Sequence, residues 1–494
     1  MGVAKGLLAG LLLALSTTAS ADITFPPAGI VAEPMKRQLA AGEQTLHAVR
    51  VDPRIFEAAR PGQMLALPGT GGRPVLARHE RGVVHDGGVR TWIGTVETAT
   101  GPQRVVVTVG PDAVFGVIPQ STGPALQLTM RGGAAFLAEG GVLGAPARSD
   151  AVVLPGAAVP KSDGRPEFVL HPQAGVVPLV DVLVVYSPGV VTRFGSEAAV
   201  NTRLMHLEDL SNQAYRDSGS DMELRIVHSR LVDYTGYKLI EQALSDLANP
   251  AGTPLKSVVD PIRVQYGADL VTILRDIDET AFNGTCGIAN VGGFDGGAFD
   301  RTRAYGAVVE GHSCPVYTFT HEIGHNMGSS HDQATLDAYG EAFRGHFPYS
   351  RGHRGPGFSS IMGYADPGQA EVGRLSNPRI SDCAGQPCGI ADYADNARSH
   401  ANAAPTVSAY YATVVPVQPK LYIDDAEVVE GASGTRNLRF TVRLNQPTSG
   451  AVTFDAATAD GSASAGSDYT ARSVAGMTIA AGQTSATVSA RSPT

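Results

Sequence analysis

The chain has 494 residues, 38 basic against 47 acidic side chains, a formal net charge of −9 and 43% hydrophobic residues. That length exceeds one ordinary domain and predicts about two to four. The acidic balance, with no run of like charge, excludes a nucleic-acid binder, which needs a basic patch.

The N-terminus reads Met1-Gly2-Val3-Ala4-Lys5, then an apolar run from Gly6 to Leu15, then Ser16-Thr17-Thr18-Ala19-Ser20-Ala21. A positive start, a short apolar region and an Ala-x-Ala exit predict a signal peptide over residues 1–21, cleaved after Ala21, and a secreted, extracellular protein. An uncleaved anchor is the alternative, but the apolar run is short for a span, and no later segment has the length of a transmembrane helix.

Residues 22–148 carry no cysteine and are rich in Gly, Pro and Val. Val105–Val109, Val114–Ile118 and Leu126–Thr129 predict short strands separated by turns, after the single tryptophan, Trp92. Residues 149–176 have the composition of a linker, with Pro155, Pro160, Pro166 and Pro172 among Gly, Ala and Ser, and are where processing is expected.

Residues 177–414 then alternate strand and helix patterns, an α/β order. Val180–Tyr186, Leu224–Val227 and Leu270–Leu274 predict strands, and Ala304–Val309 an edge strand. Glu197–Arg216 predicts a long amphipathic helix with Val200, Leu204, Leu207, Leu210 and Ala214 on one stripe. Leu239–Leu247 and Pro254–Tyr266 also read as helical, and Asn396–Tyr411 as a helix interrupted by Pro405.

The most informative stretch is His321-Glu322-Ile323-Gly324-His325-Asn326-Met327-Gly328-Ser329-Ser330-His331-Asp332. Two histidines four apart on a helix share one face and reach one metal. Val316, Phe319 and Ile323 give that helix an apolar stripe. Gly328 accepts the left-handed conformation that ends a helix, so the chain turns and brings up His331. Three imidazoles leave the fourth position of a tetrahedral Zn²⁺ open, and Glu322 sits beside it, placed to act on water. His346 and His353 lie outside this spacing and read as surface or structural.

About thirty residues downstream stands Ser359-Ser360-Ile361-Met362-Gly363-Tyr364. The long histidine motif followed by this methionine turn resembles the metzincin clan of zinc endopeptidases, and the closest overall likeness is to bacterial reprolysin (adamalysin)-like secreted metallopeptidases. The resemblance spans Val177 to Val414. It implies zinc held by His321, His325 and His331, Glu322 as general base, Met362 as an apolar floor, and protein or peptide substrates with the edge strand pairing to them. Asp332 after the third histidine is similar to the reprolysin pattern and reads as structural. Tyr364 is similar to the astacin and serralysin pattern, with contact to metal or oxyanion weighed evenly against packing. By the same resemblance residues 22–148 are a β-rich propeptide, with an independent binding module as the alternative. Having no cysteine, this region offers no thiolate to block zinc. A carboxylate or histidine, or occlusion of the cleft, is left.

Cys286, Cys314, Cys383 and Cys388 make an even count in an exported chain, which favours disulfides. Three pairings are possible; chain order suggests Cys286–Cys314 and Cys383–Cys388. After a linker at 415–420, residues 421–494 read as pure β, with Leu438, Phe440, Val442 and Leu444 alternating with polar residues. Glu430-Gly431, Thr458–Ala463 and Gly466–Tyr469 resemble a Calx-β domain, an immunoglobulin-like sandwich that would here be short of a final strand. Asp424, Asp425, Glu427 and Asp460 are conceivable Ca²⁺ ligands, against the plainer reading of solvated acids. The fold class expected is therefore multidomain: β-rich propeptide, α/β metzincin domain, β-sandwich. The competing functional class is an extracellular adhesin that binds through the C-terminal module and keeps the peptidase domain as scaffold.

Overall fold

The computed structural model describes residues 23–24, 35–39, 42–140, 149–152, 177–236, 239–276, 282–311, 314–366, 369–417, 419, 421–423, 435–458 and 464–493. The expected signal sequence, most of the proline-rich linker and the four conceivable calcium ligands lie outside these residues.

A two-residue ladder, β1 (Ile23–Thr24) with β4 (Arg50–Val51), flanks a nine-stranded antiparallel sheet. The sheet is built from β2 (Met35–Leu39), β3 (Gly42–Ala48), β5 (Met64–Leu67), β6 (Val75–Val84), β7 (Arg90–Thr98), β8 (Gly101–Val109), β9 (Val114–Ile118), β10 (Leu126–Arg131) and β11 (Ala134–Gly140). The order is β2-β3-β11-β10-β9-β8-β7-β6-β5, so most neighbours are joined by tight turns. In β10, Leu126, Leu128 and Met130 are buried while Gln127, Thr129 and Arg131 alternate outward, the period-two pattern of a sheet with one dry face. Trp92 fills that face, edge-on to Phe56 of α1 (Arg54–Ala58) at 5.8 Å between ring centroids.

A six-stranded sheet follows, from β12 (Ala151–Val152), β13 (Leu179–Tyr186), β14 (Glu223–Leu231), β15 (Leu270–Arg275), β16 (Gly287–Asn290) and β17 (Tyr305–Val309), ordered β12-β16-β17-β15-β13-β14. Strands β13, β14, β15 and β17 are parallel, β16 is antiparallel to β17, and β12 is parallel to β16. The apolar run of β13 is buried on both faces, as parallel strands between helices are. Val180, Val182 and Val184 pack towards α3 (Glu197–Asp217), which follows the short α2 (Pro188–Phe194). Leu183 and Val185 pack towards α4 (Ile240–Ala248) and α5 (Pro254–Tyr266).

Two expectations are corrected here. The segment Ala304–Val309 is not an edge: β17 lies inside, between β15 and β16. The run Gly287–Asn290 is too short and too rich in small residues to announce a strand, yet it bonds to the outer side of β17. Residues 149–152, taken with the linker by composition, include strand β12, which covers the outer side of β16.

Helix α3 is buried almost all round. Its apolar stripe meets the six-stranded sheet, and its polar stripe is covered by the nine-stranded one. Thr202, His206, Asp209, Gln213 and Asp217 recur at helical spacing, and each meets a partner. A Cβ on Gly110 would come within 2.0 Å of Thr202 Oγ1. Thr108 Oγ1 lies 3.0 Å from His206 Nδ1, His85 Nε2 2.7 Å from Asp209 Oδ2, and Arg81 donates to Gln213 at 2.6 Å. Arg104 donates to both carboxylate oxygens of Asp217 at 2.9 Å. Buried polar groups are tolerated only when paired, so the two stripes specify how the sheet docks.

Below the sheet lie α6 (Thr318–Asn326), α7 (Gln333–Tyr339), a small sheet of β18 (Arg354–Gly355), β19 (Phe358–Ser359) and β20 (Ala370–Glu371), and α8 (Asn396–Val407), with Pro405 in its last turn. The disulfides are Cys286–Cys314 and Cys383–Cys388. The C-terminal segment holds β21 (Leu421–Ile423), β22 (Thr435–Leu444) and β25 (Ser485–Pro493) in one sheet, and β23 (Val452–Ala457) with β24 (Ser473–Ile479) in another. Val442, Leu444 and Ile479 form its small core. The described residues carry the expected sandwich no further than these two small sheets. Among the described residues no helix is long and apolar enough to cross a membrane.

Arg104→Met leaves the buried Asp217 carboxylate without its fork of donors and is expected to destabilise the fold by about 2 kcal/mol, measured by urea unfolding.

Candidate metal centre

Helix α6 is held against the sheet edge by Asn326, whose side-chain amide donates to Asn290 O at 2.8 Å and Tyr305 O at 3.1 Å. Phe319 and Ile323 anchor its apolar side in the core. This points His321, Glu322 and His325 into one buried space. Beyond Met327 the chain reverses at Gly328, whose φ is +86°. A Cβ there would stand 2.8 Å from the His346 side chain and 3.0 Å from Gly292 O, so the turn needs glycine on steric as well as dihedral grounds. Ser330 is then locked between Ser350 and Gly352 by backbone bonds of 2.8 and 3.1 Å, and His331 follows it into the site.

The three imidazoles present the same nitrogen to a common point. His321 Nε2 and His331 Nε2 are 3.2 Å apart. Ligand nitrogens about 2.0–2.1 Å from a tetrahedral zinc are about 3.3 Å from one another, so this spacing suits a shared ion. The far side of two rings sets the tautomer. His321 Nδ1 donates to Ile361 O at 2.6 Å and His325 Nδ1 to Ser329 O at 2.9 Å. With the proton held on Nδ1, the Nε2 lone pair is free for metal, the usual tethering of such ligands. Burial pushes His325 down to about 4, keeping it neutral as a ligand must be. These donors fit a zinc ion.

Glu322 is buried, and among the described residues neither carboxylate oxygen has a hydrogen-bond partner. Burial, then the charge of Asp150, pushes its carboxyl well above the ordinary range. Space for it comes from Gly287 of β16, where a Cβ would stand 2.2 Å from Glu322 Oε1. Gly324 plays a similar part on the other side of the helix: a Cβ there would meet Met362 Sδ at 2.4 Å. Met362 is fully buried. Asp332 caps α7 by accepting from Thr335 N at 3.2 Å, pairs with Arg354 at 3.0 Å, and accepts from Tyr364 N at 3.4 Å. The Tyr364 ring stands 5.4 Å from that of His321 and 5.2 Å from that of His331. His346 is remote from the cluster, donating from Nδ1 to Gly293 O at 2.8 Å, and His353 packs on Phe358.

Sequence reasoning did not single out Asp150. Its Oδ1 lies 2.7 Å from His331 Nε2 and 3.3 Å from His325 Nε2, and its Oδ2 3.7 Å from His321 Nε2. The Tyr364 hydroxyl donates to Oδ2. Burial opposes its ionisation, but the neighbouring imidazoles outweigh burial and hold the carboxyl well below its ordinary range. The only signal in sequence is one acid before Ala151-Val152-Val153, a short β-prone run at the head of proline-rich chain. Next to this cluster is a cavity of about 340 Å³, lined by His321, Glu322, Tyr364 and Glu371 on one side and by Gln103 and Val117 of the nine-stranded sheet on the other. Burial raises the Glu371 carboxyl to about 7.

Residues 176–394 match the family described as metallo-peptidase family M12B, reprolysin-like, and residues 31–138 match the BamI lipocalin-like domain. Among curated proteins the chain is similar to a peptidyl-Asp metalloendopeptidase of Pseudomonas aeruginosa, 33% identical over 48% of this chain and 41% of that protein. A protein of the same description from Stenotrophomonas maltophilia is 27% identical over 81% of this chain and 97% of its own length. One from Xanthomonas campestris is 28% identical over 50% of this chain and 55% of its own. Thus the chain spans less than two thirds of the Pseudomonas and Xanthomonas relatives. A solved chain described as the structure of a chaperone–substrate complex aligns at 16% identity and a TM-score of 0.38, over 72% of this chain and 46% of that one.

His331→Ala removes one of three converging nitrogens. The variant is expected to lose bound zinc on dialysis that the parent retains, a drop in affinity of at least about 100-fold by metal analysis.

Proposed function

We propose that this chain is a zinc metalloendopeptidase whose residues 177–414 are a reprolysin-like peptidase unit. The observation that carries this reading is the convergence of three imidazoles, two of them tethered to backbone carbonyls, beside a buried carboxylate with no hydrogen-bond partner among the described residues. His321, His325 and His331 hold the metal. Zinc, when bound there, acidifies water and polarises the scissile carbonyl.

The chain's own groups do the rest. Glu322, buried and without a hydrogen-bond partner among the described residues, takes a proton from the attacking water and passes it to the leaving amine. Tyr364, oriented through its backbone bond to Asp332, donates to the oxygen on which charge develops. Met362 and Gly324 keep the floor beneath the rings close-packed, so the imidazoles do not drift. The substrate is a polypeptide that extends along β16. Among the described residues, the acidic side chains Glu371 and Asp366 line the cavity.

The signal-like N-terminus supports export. Residues 22–148 serve as a removable propeptide, a reading supported by how they cover α3 and wall the cavity. The alternating strands of residues 435–493 support a Calx-β-like accessory module.

Casein digestion is expected to stop with 1,10-phenanthroline and to return with added zinc. Glu322→Gln is expected to keep its zinc and lose about 10²–10⁴-fold in peptide cleavage; unchanged turnover would refute the role of Glu322. Gly287→Ala places a methyl where the Glu322 carboxylate sits, so cleavage should fall by about ten-fold or more while metal content stays constant.

A further inference from the structure

We infer that Asp150 is a built-in inhibitory ligand: while the chain is intact, its carboxylate takes the fourth position on the zinc and strand β12 blocks the edge of β16. The inference rests on the zinc peptidase reading.

Three contacts close at once. First, the carboxylate, with a side chain 5% exposed, faces all three Nε2 atoms, nearest at 2.7 Å. A carboxylate whose oxygens lie 2.7, 3.3 and 3.7 Å from the three imidazole nitrogens completes a four-donor set, and these four groups offer ligand atoms all within 4.8 Å of one another. Second, Asp150 holds the Tyr364 hydroxyl, so the group proposed to donate to the oxyanion is engaged elsewhere. Third, the backbone on either side of Ala151 accepts from β16: Ala289 N donates to Asp150 O at 3.0 Å and Val291 N to Val152 O at 2.9 Å. An exposed edge strand is where an extended peptide adds itself, and β12 has already done so.

Asp150 is covalently tethered on both sides. It lies between β11 of the nine-stranded sheet and β13 at the start of the peptidase sheet, and the first of these is docked through the polar stripe of α3. One carboxylate is a weak ligand when free, but a tether raises its effective concentration to the order of mM. Cutting the chain removes the tether and returns the fourth position, the tyrosine and the strand edge to a substrate together. No cysteine is needed, and residues 22–148 contain none.

The test uses the full chain carrying Glu322→Gln, which stays intact, loaded with Co²⁺ in place of zinc. With Asp150 present, the visible absorption bands report the carboxylate, and acetohydroxamic acid binds weakly. Asp150→Ala and the nearly isosteric Asp150→Asn are expected to change the bands and to tighten hydroxamate binding by at least about ten-fold, since neither side chain is a comparable ligand. Identical bands and equal hydroxamate affinity in all three chains would overturn the inhibitory role and leave the zinc reading standing. Failure of every chain to hold Co²⁺ would overturn both.

Discussion

Three imidazole rings must offer the same nitrogen to one buried point, and the lower half of the molecule is organised by that demand. Two of the rings follow from helical spacing. The third depends on a reversal at Gly328 that leaves room for no side chain, and on the clamping of Ser330 between Ser350 and Gly352. The carbonyls of Ile361 and Ser329 hold the far nitrogens of two rings, so orientation and tautomer are set by backbone rather than by further ionisable groups. That choice matters in a low dielectric, where an extra charge would shift every neighbour.

The same cavity shows how small residues serve a charged one. Glu322 has no hydrogen-bond partner among the described residues, so its position is decided by the space left for it. Gly287 on the sheet edge leaves the volume that its carboxylate fills. On the opposite side of the helix Gly324 lets Met362 approach the backbone. A well-packed wall with one polar gap is what a proton-transferring carboxylate requires.

Helix α3 joins the two halves of the molecule. Its apolar stripe is ordinary sheet packing. Its polar stripe would be a solvated face in most proteins, but here it is read by Arg81, His85, Arg104 and Thr108 of the nine-stranded sheet. Paired polar groups fix the register of this interface, and apolar contacts join it: the Phe115 ring meets Phe194 edge-on at 5.0 Å, within one buried cluster that runs through both units. The same docking places the nine-stranded sheet against the cavity beside the histidine cluster.

Much of the site was legible because its chemistry is local. His321, Glu322 and His325 share one helix, Gly328 ends it, and Met362 lies in a recognisable turn, so sequence spacing alone determined which groups gather. It also determined most of the strands and helices of residues 177–414, where buried parallel strands and an apolar helix stripe leave periodic traces. Only the tertiary structure decided that β17 is interior, because β16 is four residues long and leaves no periodic pattern. It alone showed that the polar face of α3 is buried, since helical periodicity cannot distinguish water from a docked sheet. And it alone brought Asp150, 171 residues before His321 in the chain, into the metal cluster. A carboxylate on irregular chain has no spacing to betray its partners; its place is set by strand pairing and by two docked sheets, which are long-range interactions.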